Sequence, residues 1–371
     1  MKKALLISNI ADRFTNFIIP SIKILKKMNY EVHTCANYTG FKDNKKKYDI
    51  KMHQIDFVRN PFHLKNIKAY KQLLKLMKSE KFDVVHCNTP IGGLLGRICA
   101  QKAKVPKVIY TAHGFHFYKG APLFNNTILK LAEKIMAHWT DAIITMNQED
   151  YEAAKKFESK SKCKVYFIHG VGINLDDYRN IDKYRISKRK ELGIKDDEIV
   201  MISMGDLIKR KNYKTAIEAV AKTNNSKIKY LICGEGPEKD NLIKLTNELG
   251  IREQIEFLGF REDIKELLSA SDIFLFTTLQ EGLPRSLMEA MASGLPCIAS
   301  KIRGNVDLIE DGKGGYLCKK NDAMEFSMAI NKCNKENRID FGKRNVETIK
   351  KYSNLVVEKE IERIYSEILK E

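Results

Sequence analysis

The chain has 371 residues, 43% of them hydrophobic, and is therefore long enough for two domains with separate cores. Its formal charge of +18 predicts a negatively charged partner, such as nucleic acid, anionic lipid or a phosphorylated substrate. We expect no nucleic acid, because neither zinc-finger spacing, an aromatic ribonucleoprotein strand nor a basic zipper accompanies the charge. The 8 cysteines form no C-x-x-C pair, which argues against a disulfide framework or a zinc site and indicates a reducing cytoplasm.

The N-terminal segment lacks the features of a secretion signal. Its apolar run is short, and the polar residues Asn9 and Asp12 follow closely. No apolar stretch of the sequence approaches the roughly 20 residues of a membrane span. We therefore expect a cytoplasmic protein that is at most peripheral at the inner face of the cell membrane.

Strand and helix patterns alternate along the first half of the chain. Such alternation predicts a parallel sheet with helices on both of its faces. The predicted strands lie near Lys3–Ser8, Tyr30–Ala36, Asp83–Cys87, Val108–Thr111, Ala142–Thr145 and Val165–Ile168.

The segment Leu64–Ser79 predicts an amphipathic helix within this half. Lysines occupy one side and apolar residues the other, namely Lys65, Lys68, Lys71, Lys75 and Lys78 against Ile67, Tyr70, Leu73, Leu74 and Met77. Such a helix could rest on an anionic membrane surface through the basic N-terminal domain. The simpler interpretation, which we favour for this helix alone, is a surface helix with its apolar side towards the core.

The glycine-rich segment Gly170–Tyr178, followed by charged residues up to Lys190, predicts a hinge between two domains. A second alternation of strands and helices follows, and an amphipathic helix over Ser353–Leu369 ends the chain. The predicted strands of this half are Ile199–Met204, Tyr230–Cys233, Ile255–Phe257, Ile273–Phe276, Cys297–Ser300 and Gly315–Leu317.

Glu281 and Glu289 flank a predicted strand-loop-helix junction. The apolar run Ser271–Thr277 is typical of a buried parallel strand, Pro284 suits the first helical position, and Gly294 ends the helix. Ligands of open parallel sheets bind at the carboxyl ends of strands, where Glu281 lies. Ionised carboxylates accept hydrogen bonds in pairs from vicinal hydroxyls, so the two glutamates suit a sugar and a ribose. Alternatively, they are a solvated loop charge and a helix surface charge.

A phosphate could lie at the same helix N-terminus, because free backbone N–H groups and the helix dipole favour an anion there. This stretch comprises Gly282, Leu283, Pro284, Arg285 and Ser286. Together with the two carboxylates it indicates a sugar nucleotide as ligand.

The sequence EGLPRSLMEAMASGLPCIAS, which contains Glu281 and Glu289, resembles the signature of retaining GT-B glycosyltransferases of family four. Met204–Asn212 resembles the phosphate-binding loop of that family, Cys233–Pro237 its Gly-x-Gly-Pro turn, and Phe257–Arg261 the segment that faces the base. Thr111–Leu123 resembles the subgroup that builds bacterial capsules and exopolysaccharides. The resemblance covers essentially the whole chain.

The resemblance implies an α/β fold of the GT-B type, with two Rossmann-like, doubly wound parallel-sheet domains facing a cleft. Residues 1–175 would bind the acceptor, residues 176–352 would bind the nucleotide sugar, and the helix 353–371 would cross back to the N-terminal domain. Retention of configuration is implied by the family and not by the spacing of the carboxylates.

The resemblance also implies individual roles. Lys211 matches the lysine that contacts the diphosphate, Glu281 and His113 would act at the reacting sugar, and His86 and His116 would line the acceptor site. The implied donor-binding residues are Asp206, Arg210, Lys211, Gly234, Glu235, Phe260, Gly282, Leu283, Pro284, Arg285, Ser286 and Glu289. From the residues alone, Arg210 reads more simply as a solvated loop charge. His86 could equally be a satisfied core histidine, His116 a packed or surface residue, and Glu235 part of a simple turn.

Asp206 departs from the family pattern, because most relatives carry arginine immediately after the glycine of this loop. An aspartate cannot bind phosphate, so the phosphate contacts made by arginine in most relatives would be made here by Lys211 and Arg210. Alternatively, Asp206 would contact the acceptor or a sugar hydroxyl. Some exopolysaccharide members carry an acidic residue at this position, so activity is compatible with it.

The expected function is transfer of one sugar from a nucleotide-diphosphate sugar, with UDP as the subgroup's nucleotide, to a polyprenyl-diphosphate-linked saccharide. We expect no cofactor and no metal, because no D-x-D element lies where it could hold a metal-bound diphosphate. Two alternatives remain open on the sequence. One is a nucleotide-sugar epimerase of the same fold, and the other is a non-catalytic basic module that binds nucleic acid or lipid.

Overall fold

The computed structural model describes residues 1–43, 48–61, 63–158 and 161–370, and the chain divides into two compact units. Unit 1 comprises Met1–Gly172 together with the C-terminal helix, and unit 2 comprises Ile173–Ser353. The sequence placed the boundaries three residues later, after residue 175, and one residue earlier, after residue 352. Both lie beside Gly172, whose φ of +83° and whose close approach to Asn354 leave no room for a side chain.

Unit 1 is built on a seven-stranded parallel sheet with the strand order β3-β2-β1-β4-β5-β6-β7. The strands are β1 Lys3–Ile10, β2 Glu31–Asn37, β3 Lys51–Gln54, β4 Val84–Asn88, β5 Lys107–Thr111, β6 Ala142–Thr145 and β7 Lys164–Phe167. The six strands predicted for this half are confirmed. The additional strand, β3, lies at the edge of the sheet, and its four residues are exposed or half-buried. It therefore lacks the apolar pattern of a buried strand.

Helices cover this sheet, and a π-helical turn over Asn125–Leu129 leads directly into one of them. The helices are α1 Ile19–Lys27, α2 Lys65–Glu80, α3 Pro90–Ala103, α4 Lys130–Ala137, α5 Gln148–Glu158 and the C-terminal helix Asn354–Lys370. On α2, Ala69, Leu73 and Met77 are buried in the core. This arrangement is that of an ordinary surface helix, the simpler of the two interpretations. Ile67, which the sequence assigned to the apolar side, is 54% exposed because it lies in the first turn, before the helix meets the core.

The C-terminal helix packs on unit 1 and contacts α1. Its inner face is buried, and the hydroxyl of Tyr365 lies 2.6 Å from Nδ1 of His86 on β4. Glu360 adds a second attachment, since its carboxylate accepts the backbone N–H of His169 at 2.9 Å and lies 2.7 Å from Nδ1 of that residue. These contacts hold the end of the chain to the first unit.

Unit 2 repeats the architecture with six parallel strands in the order β10-β9-β8-β11-β12-β13. The strands are β8 Ile199–Met204, β9 Ile228–Cys233, β10 Ile255–Gly259, β11 Ile273–Phe276, β12 Cys297–Ser300 and β13 Gly315–Cys318. The helices are α6 Arg185–Glu191, α7 Tyr213–Lys222, α8 Lys239–Glu248, α9 Ile264–Ala270, α10 Arg285–Ala292, α11 Asn305–Leu308, α12 Ala323–Lys332 and α13 Lys335–Ile349. All six predicted strands are confirmed.

Both faces of the unit 2 sheet are buried, which explains why its strands read as continuous apolar runs. Successive residues of β11 point into two different cores, with Phe274 in one and Ile273 in the other. The eight cysteines are all free and buried, so they pack as small hydrophobic residues. Within the described ranges, no helix is long and apolar enough to cross a membrane.

The order of the strands fixes where a ligand can bind in each unit. In unit 2 the chain adds β9 and then β10 on one side of β8, and later adds β11, β12 and β13 on its other side. In unit 1, β1 likewise lies between β2 on one side and β4 on the other. A crevice opens at such a switch point, at the carboxyl ends of the strands. The loops after β8 and β11 in unit 2 therefore belong to one site.

Candidate active site

The loop after β8 is shaped by close contacts between backbones. A Cβ atom on Gly234 would lie 2.0 Å from the carbonyl oxygen of Gly205, and one on Gly236 would lie 2.4 Å from that of Leu207. Only glycine fits at such distances, so the Gly-x-Gly turn after β9 presses directly against this loop. The hydroxyl of Tyr213 donates to the carbonyl of Gly205 at 2.8 Å, and burial raises the pKa of Tyr213, so the phenol keeps its proton.

Glu281 is the centre of the site. Its Oε1 atom accepts hydrogen bonds from Nζ of Lys211 at 2.8 Å, Nη1 of Arg210 at 2.9 Å and the hydroxyl of Thr278 at 2.9 Å. The side chains of Lys211 and Glu281 are each only 12% exposed, whereas that of Arg210 is 41% exposed. The three predicted residues Arg210, Lys211 and Glu281 thus meet at the carboxyl ends of β8 and β11.

Backbone contacts fix this cluster. The N–H of Leu279 donates to the carbonyl of Arg210 at 2.9 Å, and Thr277 donates its hydroxyl to the carbonyl of Asn212 at 2.8 Å. Nε of Arg303, a residue only 6% exposed, donates to the carbonyl of Glu281 at 3.0 Å. The loop that carries Glu281 is therefore held from two sides before any ligand arrives.

Thr278 and Arg303 are site residues that the sequence analysis missed. Thr278 lies in the loop already assigned to the site, but a threonine two residues after a strand carries no signal of its own. Arg303 follows β12, and its contact with Glu281 depends on the approach of Gly304 to Gly282, where a Cβ atom would lie 2.4 Å from the carbonyl oxygen. Such an approach can be seen only once the strands are paired.

Helix α10 begins at Arg285, and Pro284 is its N-cap, with φ −79° and ψ 119°. The sequence placed Pro284 one residue too far into the helix, and the extended ψ angle shows that the helical turn starts after it. Gly294, with φ +73°, follows the end of the helix as predicted. Gly282, Leu283 and Ser286 are half-buried around this N-terminus.

Glu289 lies within α10, and its side chain is 18% exposed. Its Oε1 atom accepts a hydrogen bond from Nε of Arg285, one turn earlier, at 3.0 Å. Tyr178 also hydrogen-bonds this carboxylate, and the pKa of its phenol is raised, first by burial and then by the negative charge of Glu289. The second predicted carboxylate therefore has a cation and a hydroxyl as partners.

Asp206, Glu235 and Phe260 lie exposed at the ends of three adjacent strands, β8, β9 and β10. The side chain of Phe260 is 70% exposed, which is unusual for a phenylalanine and leaves its ring free for stacking. The backbone N–H of Leu207 donates to the carbonyl of Glu235 at 2.8 Å. The predicted donor-binding residues thus share one edge of the unit 2 sheet.

In unit 1, His113 lies just beyond the carboxyl end of β5. Its Nε2 atom is 3.2 Å from Oδ1 of Asn88, at the end of β4, and the ring of Phe17 packs edge-on at 4.7 Å. Burial lowers the pKa of His113 to about 4, so the imidazole is neutral at pH 7. With a carbonyl oxygen facing Nε2, the proton belongs on Nε2, and Nδ1 is left as an acceptor.

Three buried polar atoms at this edge have no hydrogen-bond partner among the described residues: Nδ1 of His113, Nδ2 of Asn88 and Oδ1 of Asn9. Their residues lie at the ends of β5, β4 and β1, which are neighbours in the sheet. Buried polar groups are nearly always paired, so a set of unpaired donors and acceptors at a switch point indicates a site for a polar ligand.

The prediction for His86 is corrected. The side chain is buried, and both ring nitrogens are occupied, Nδ1 by the hydroxyl of Tyr365 at 2.6 Å and Nε2 by the hydroxyl of Thr111 at 2.7 Å. Burial lowers its pKa to about 3. His86 is therefore a satisfied core histidine, the second of the two interpretations. His116 is exposed and lines a cavity of ≈ 750 Å³ in unit 1.

No group of three or more histidine, cysteine, aspartate or glutamate side chains in the described part of the chain is arranged to hold a metal ion. Lys211 and Arg210 are two charges available for a diphosphate in unit 2. Fixed cations beside a helix N-terminus can stabilise a developing phosphate charge.

Comparison with known proteins agrees with this geometry. Residues 185–353 match the family described as glycosyl transferases group 1, and residues 3–147 match the family described as glycosyl transferase 4-like. The chain is similar to a Bacillus subtilis protein named as a glycosyltransferase, EpsD, with 35% identity over 334 residues that cover 89% of this chain and 86% of the relative.

An Escherichia coli relative is 32% identical over 73% of this chain and 71% of its own. Its name describes a galactosyltransferase that uses UDP-Gal and diphosphoundecaprenol-linked GlcNAc. In fold, the chain is similar to HepE of Anabaena, solved in complex with UDP, with a TM-score of 0.79, 20% identity and coverage of 99% of this chain and 100% of that chain. The protein is an enzyme with the GT-B fold, and it belongs to the glycosyl transferase group 1 family.

Proposed function

We propose that this protein transfers one sugar from a UDP-sugar to a polyprenyl-diphosphate-linked saccharide, with retention of the anomeric configuration, in the synthesis of a capsule or exopolysaccharide. The observation that carries the proposal is the cluster of Lys211, Arg210 and Glu281 in unit 2. Cations suit a diphosphate, and a carboxylate suits sugar hydroxyls. The choice of UDP and of a lipid-linked acceptor draws support from the name of the Escherichia coli relative and from the UDP complex of HepE.

Binding of the donor would redistribute the hydrogen bonds around Glu281. The diphosphate would take Lys211 and Arg210 as partners and lie against the first free N–H groups of α10. Loss of the two cations would free Oε1 of Glu281 to accept hydrogen bonds from the transferred sugar. The site therefore exchanges an internal ion pair for an ion pair with substrate.

The nucleoside would extend along the same edge of the sheet. Glu289 would accept the ribose hydroxyls, since the exposed Arg285 can leave it without disturbing the helix. The exposed ring of Phe260 would face the base. Asp206, exposed at the end of β8, would accept a hydrogen bond from a hydroxyl and would not contact a phosphate.

In the proposed chemistry, the bond between the anomeric carbon and the diphosphate oxygen breaks while Lys211 and Arg210 stabilise the leaving charge. The departing phosphate oxygen takes the proton of the acceptor hydroxyl, which attacks from the same face and so retains the configuration. Glu281 acts here as a hydroxyl acceptor, and the carboxylate spacing rule of glycoside hydrolases does not apply.

His113 is proposed to contact the transferred sugar as a neutral imidazole. Its unpaired Nδ1 atom can accept a hydrogen bond from a sugar hydroxyl, and its low pKa keeps it uncharged at pH 7. This role follows from the family resemblance and from the unpaired polar atoms beside it.

A transfer assay tests the proposal. Labelled UDP-glucose, UDP-galactose and their N-acetylated forms would each be offered with GlcNAc-diphosphoundecaprenol in detergent, with and without a chelator. We expect one donor to give a product with a new α-glycosidic bond, equally well with the chelator present. An isomerised donor without a new bond would instead identify an epimerase, and loss of transfer with the chelator would contradict metal independence.

A further inference from the structure

The segment from Pro122 to Ala137 in unit 1 exposes a line of large apolar side chains. Leu123 is 80% exposed, Phe124 50%, Ile128 52%, Leu131 53% and Ile135 47%. Spacings of four, three and four residues from Phe124 onwards place these side chains on one face of the helix. We call this set of five side chains the outer face.

The opposite side of the segment faces a cavity of unit 1. Leu129, Ala132 and Met136 line this cavity of ≈ 750 Å³, which is otherwise walled mainly by aromatic and aliphatic side chains, and Phe124 of the outer face lies at its border. Ile128, Leu131 and Ile135 point away from it. The outer face also adjoins His116, the residue of this cavity assigned to the acceptor, because Nδ2 of Asn125 donates to the carbonyl of His116 at 2.7 Å.

The charged side chains of the segment itself are mostly basic. Between residues 116 and 140 the only acidic residue is Glu133. Its two oxygens accept bonds from Nη1 and Nη2 of Arg97 at 2.8 and 3.0 Å, and Arg97 is completely buried. The cations that this part of the chain carries are Lys119, Lys130 and Lys134. Glu149 of α5 lies beside the first of them, since its Oε1 atom accepts the backbone N–H of Lys119 at 2.6 Å.

We propose that the outer face docks on an anionic lipid bilayer, with its apolar side chains at the boundary of headgroups and acyl chains and its lysines among the headgroups. A helix with exposed apolar residues flanked by lysines has the composition of an interfacial helix. The proposal rests on the proposed function for the presence of a membrane-anchored acceptor, and it goes further by assigning the surface that meets the membrane.

A second copy of the chain fits this face less well than a bilayer does. In a symmetric dimer the same patch meets itself, so Lys130 and Lys134 of one copy would approach the same lysines of the other. An anionic bilayer supplies the opposite charge along the whole line. The lysine side of α2 is a weaker candidate, since Ala69, Leu73 and Met77 of that helix are packed in the core.

Vesicle sedimentation tests the proposal directly. Full-length protein would be spun with vesicles of phosphatidylglycerol and phosphatidylcholine in equal parts, and with vesicles of phosphatidylcholine alone. We expect binding to the anionic vesicles and a loss of at least about tenfold in the partition coefficient for the variant Ile128→Asn/Leu131→Asn/Ile135→Asn. The charge variant Lys130→Glu/Lys134→Glu should lose binding to anionic vesicles by a similar factor.

A matched control replaces equally exposed apolar residues of unit 2, in the variant Met324→Asn/Met328→Asn/Ile339→Asn. These side chains are 53%, 49% and 55% exposed, and the variant should bind vesicles as the wild type does. The proposal is overturned if the wild type fails to bind, or if the triple variant of the outer face binds like the control. A wild-type dimer that becomes monomeric in that variant would show a protein interface instead.

The stabilisation of each variant by UDP separates this proposal from the proposed function. UDP should raise the melting temperature of all three variants as it does for the wild type, which also shows that they are folded. Vesicle binding without any effect of UDP would contradict the proposed function and leave the membrane surface standing. An effect of UDP without vesicle binding would overturn the membrane surface and leave the proposed function standing.

Discussion

The Oε1 atom of Glu281 accepts hydrogen bonds from Lys211, Arg210 and Thr278 at once. Replacing any one of these side chains should therefore change the site. Lys211 and Glu281 are almost wholly removed from water, so a ligand that takes the lysine must leave the carboxylate with new donors. A sugar diphosphate brings an acceptor for the lysine and hydroxyl donors for the carboxylate.

Lys211→Met should abolish much of the activity, because it removes the buried cation while keeping an unbranched side chain of similar length. We expect kcat/KM to fall by roughly 10²-fold or more, with weaker binding of UDP. Steady-state transfer and calorimetric titration with UDP measure both effects. Lys209→Met, on the exposed side of the same turn, is the control and should change neither by more than about twofold.

Two glutamate variants separate the proposed carboxylate roles. Glu289→Gln should mainly weaken nucleotide binding through the ribose, whereas Glu281→Gln should mainly depress kcat, since the amide still accepts one bond but no longer carries the charge. Titration with UDP and rates at saturating donor distinguish the two. Equal and negligible effects of both changes would contradict the assignment.

The two histidines of unit 1 predict how stability depends on pH. Folding lowers the pKa of His86 from 6.5 to about 3 and that of His113 to about 4, because burial disfavours the charged ring. The unfolded chain therefore binds these protons first. The free energy of unfolding should fall as the pH drops below 6.5, by up to about 1.4 kcal/mol per pH unit for each histidine.

Urea unfolding at several pH values checks this expectation. Between pH 6 and pH 4, the slope of the unfolding free energy against pH should be shallower for His86→Gln than for the wild type, by about 1 kcal/mol per pH unit. His138→Gln, a change at an exposed position, should leave the slope as it is. An unchanged slope in His86→Gln would show that His86 does not contribute.

Which residues lie together at the site was predictable from the sequence only where a motif contained them. Lys211, Glu281 and Glu289 stand in recognisable patterns, and the structure places them at one sheet edge. His86 could not be decided, because its partner Tyr365 is 279 residues away along the chain. Arg303 was missed for a similar reason, since its contact needs two strands to be paired first.

Elements were easier to predict than contacts, because buried parallel strands leave an unbroken apolar run in the sequence. The strand β3 was not predicted, because its residues, Lys51–Gln54, lie at a sheet edge and show neither an apolar run nor an alternation of apolar and polar residues. The start of α10 was misplaced by one residue at Pro284, whose fixed φ suits both the N-cap and the first turn.

The glycine turn after β9 gives a prediction at this scale. Gly234→Ala should disturb the phosphate loop, because its new Cβ would lie 2.0 Å from the carbonyl oxygen of Gly205. We expect a loss of several kcal/mol of stability or of UDP binding, measured by thermal unfolding with and without UDP. Gly250→Ala is the matched control, since its φ is also positive but no atom lies within 4 Å. It should cost only about 1 kcal/mol.

For the whole molecule, the chain divides into two doubly wound units, and its last helix belongs to the first of them. The sequence predicted this architecture through the two alternating sets of strands and the glycine-rich segment between them. Strand order and the switch points between β8 and β11 and between β1 and β4 came from the structure alone, because adjacency in a parallel sheet leaves no local pattern.

The measurement that tests the account most directly is thermal unfolding of the wild type and of Lys211→Met with UDP, GDP, ADP and their sugars. A ligand at about 100 times its dissociation constant adds roughly 2.7 kcal/mol to stability. We predict a clear rise in melting temperature for the wild type with UDP and one UDP-sugar, and little or none for Lys211→Met. No rise with any nucleotide in folded wild-type protein, or an equal rise in the variant, would contradict the assignment of the donor site to the cluster around Glu281.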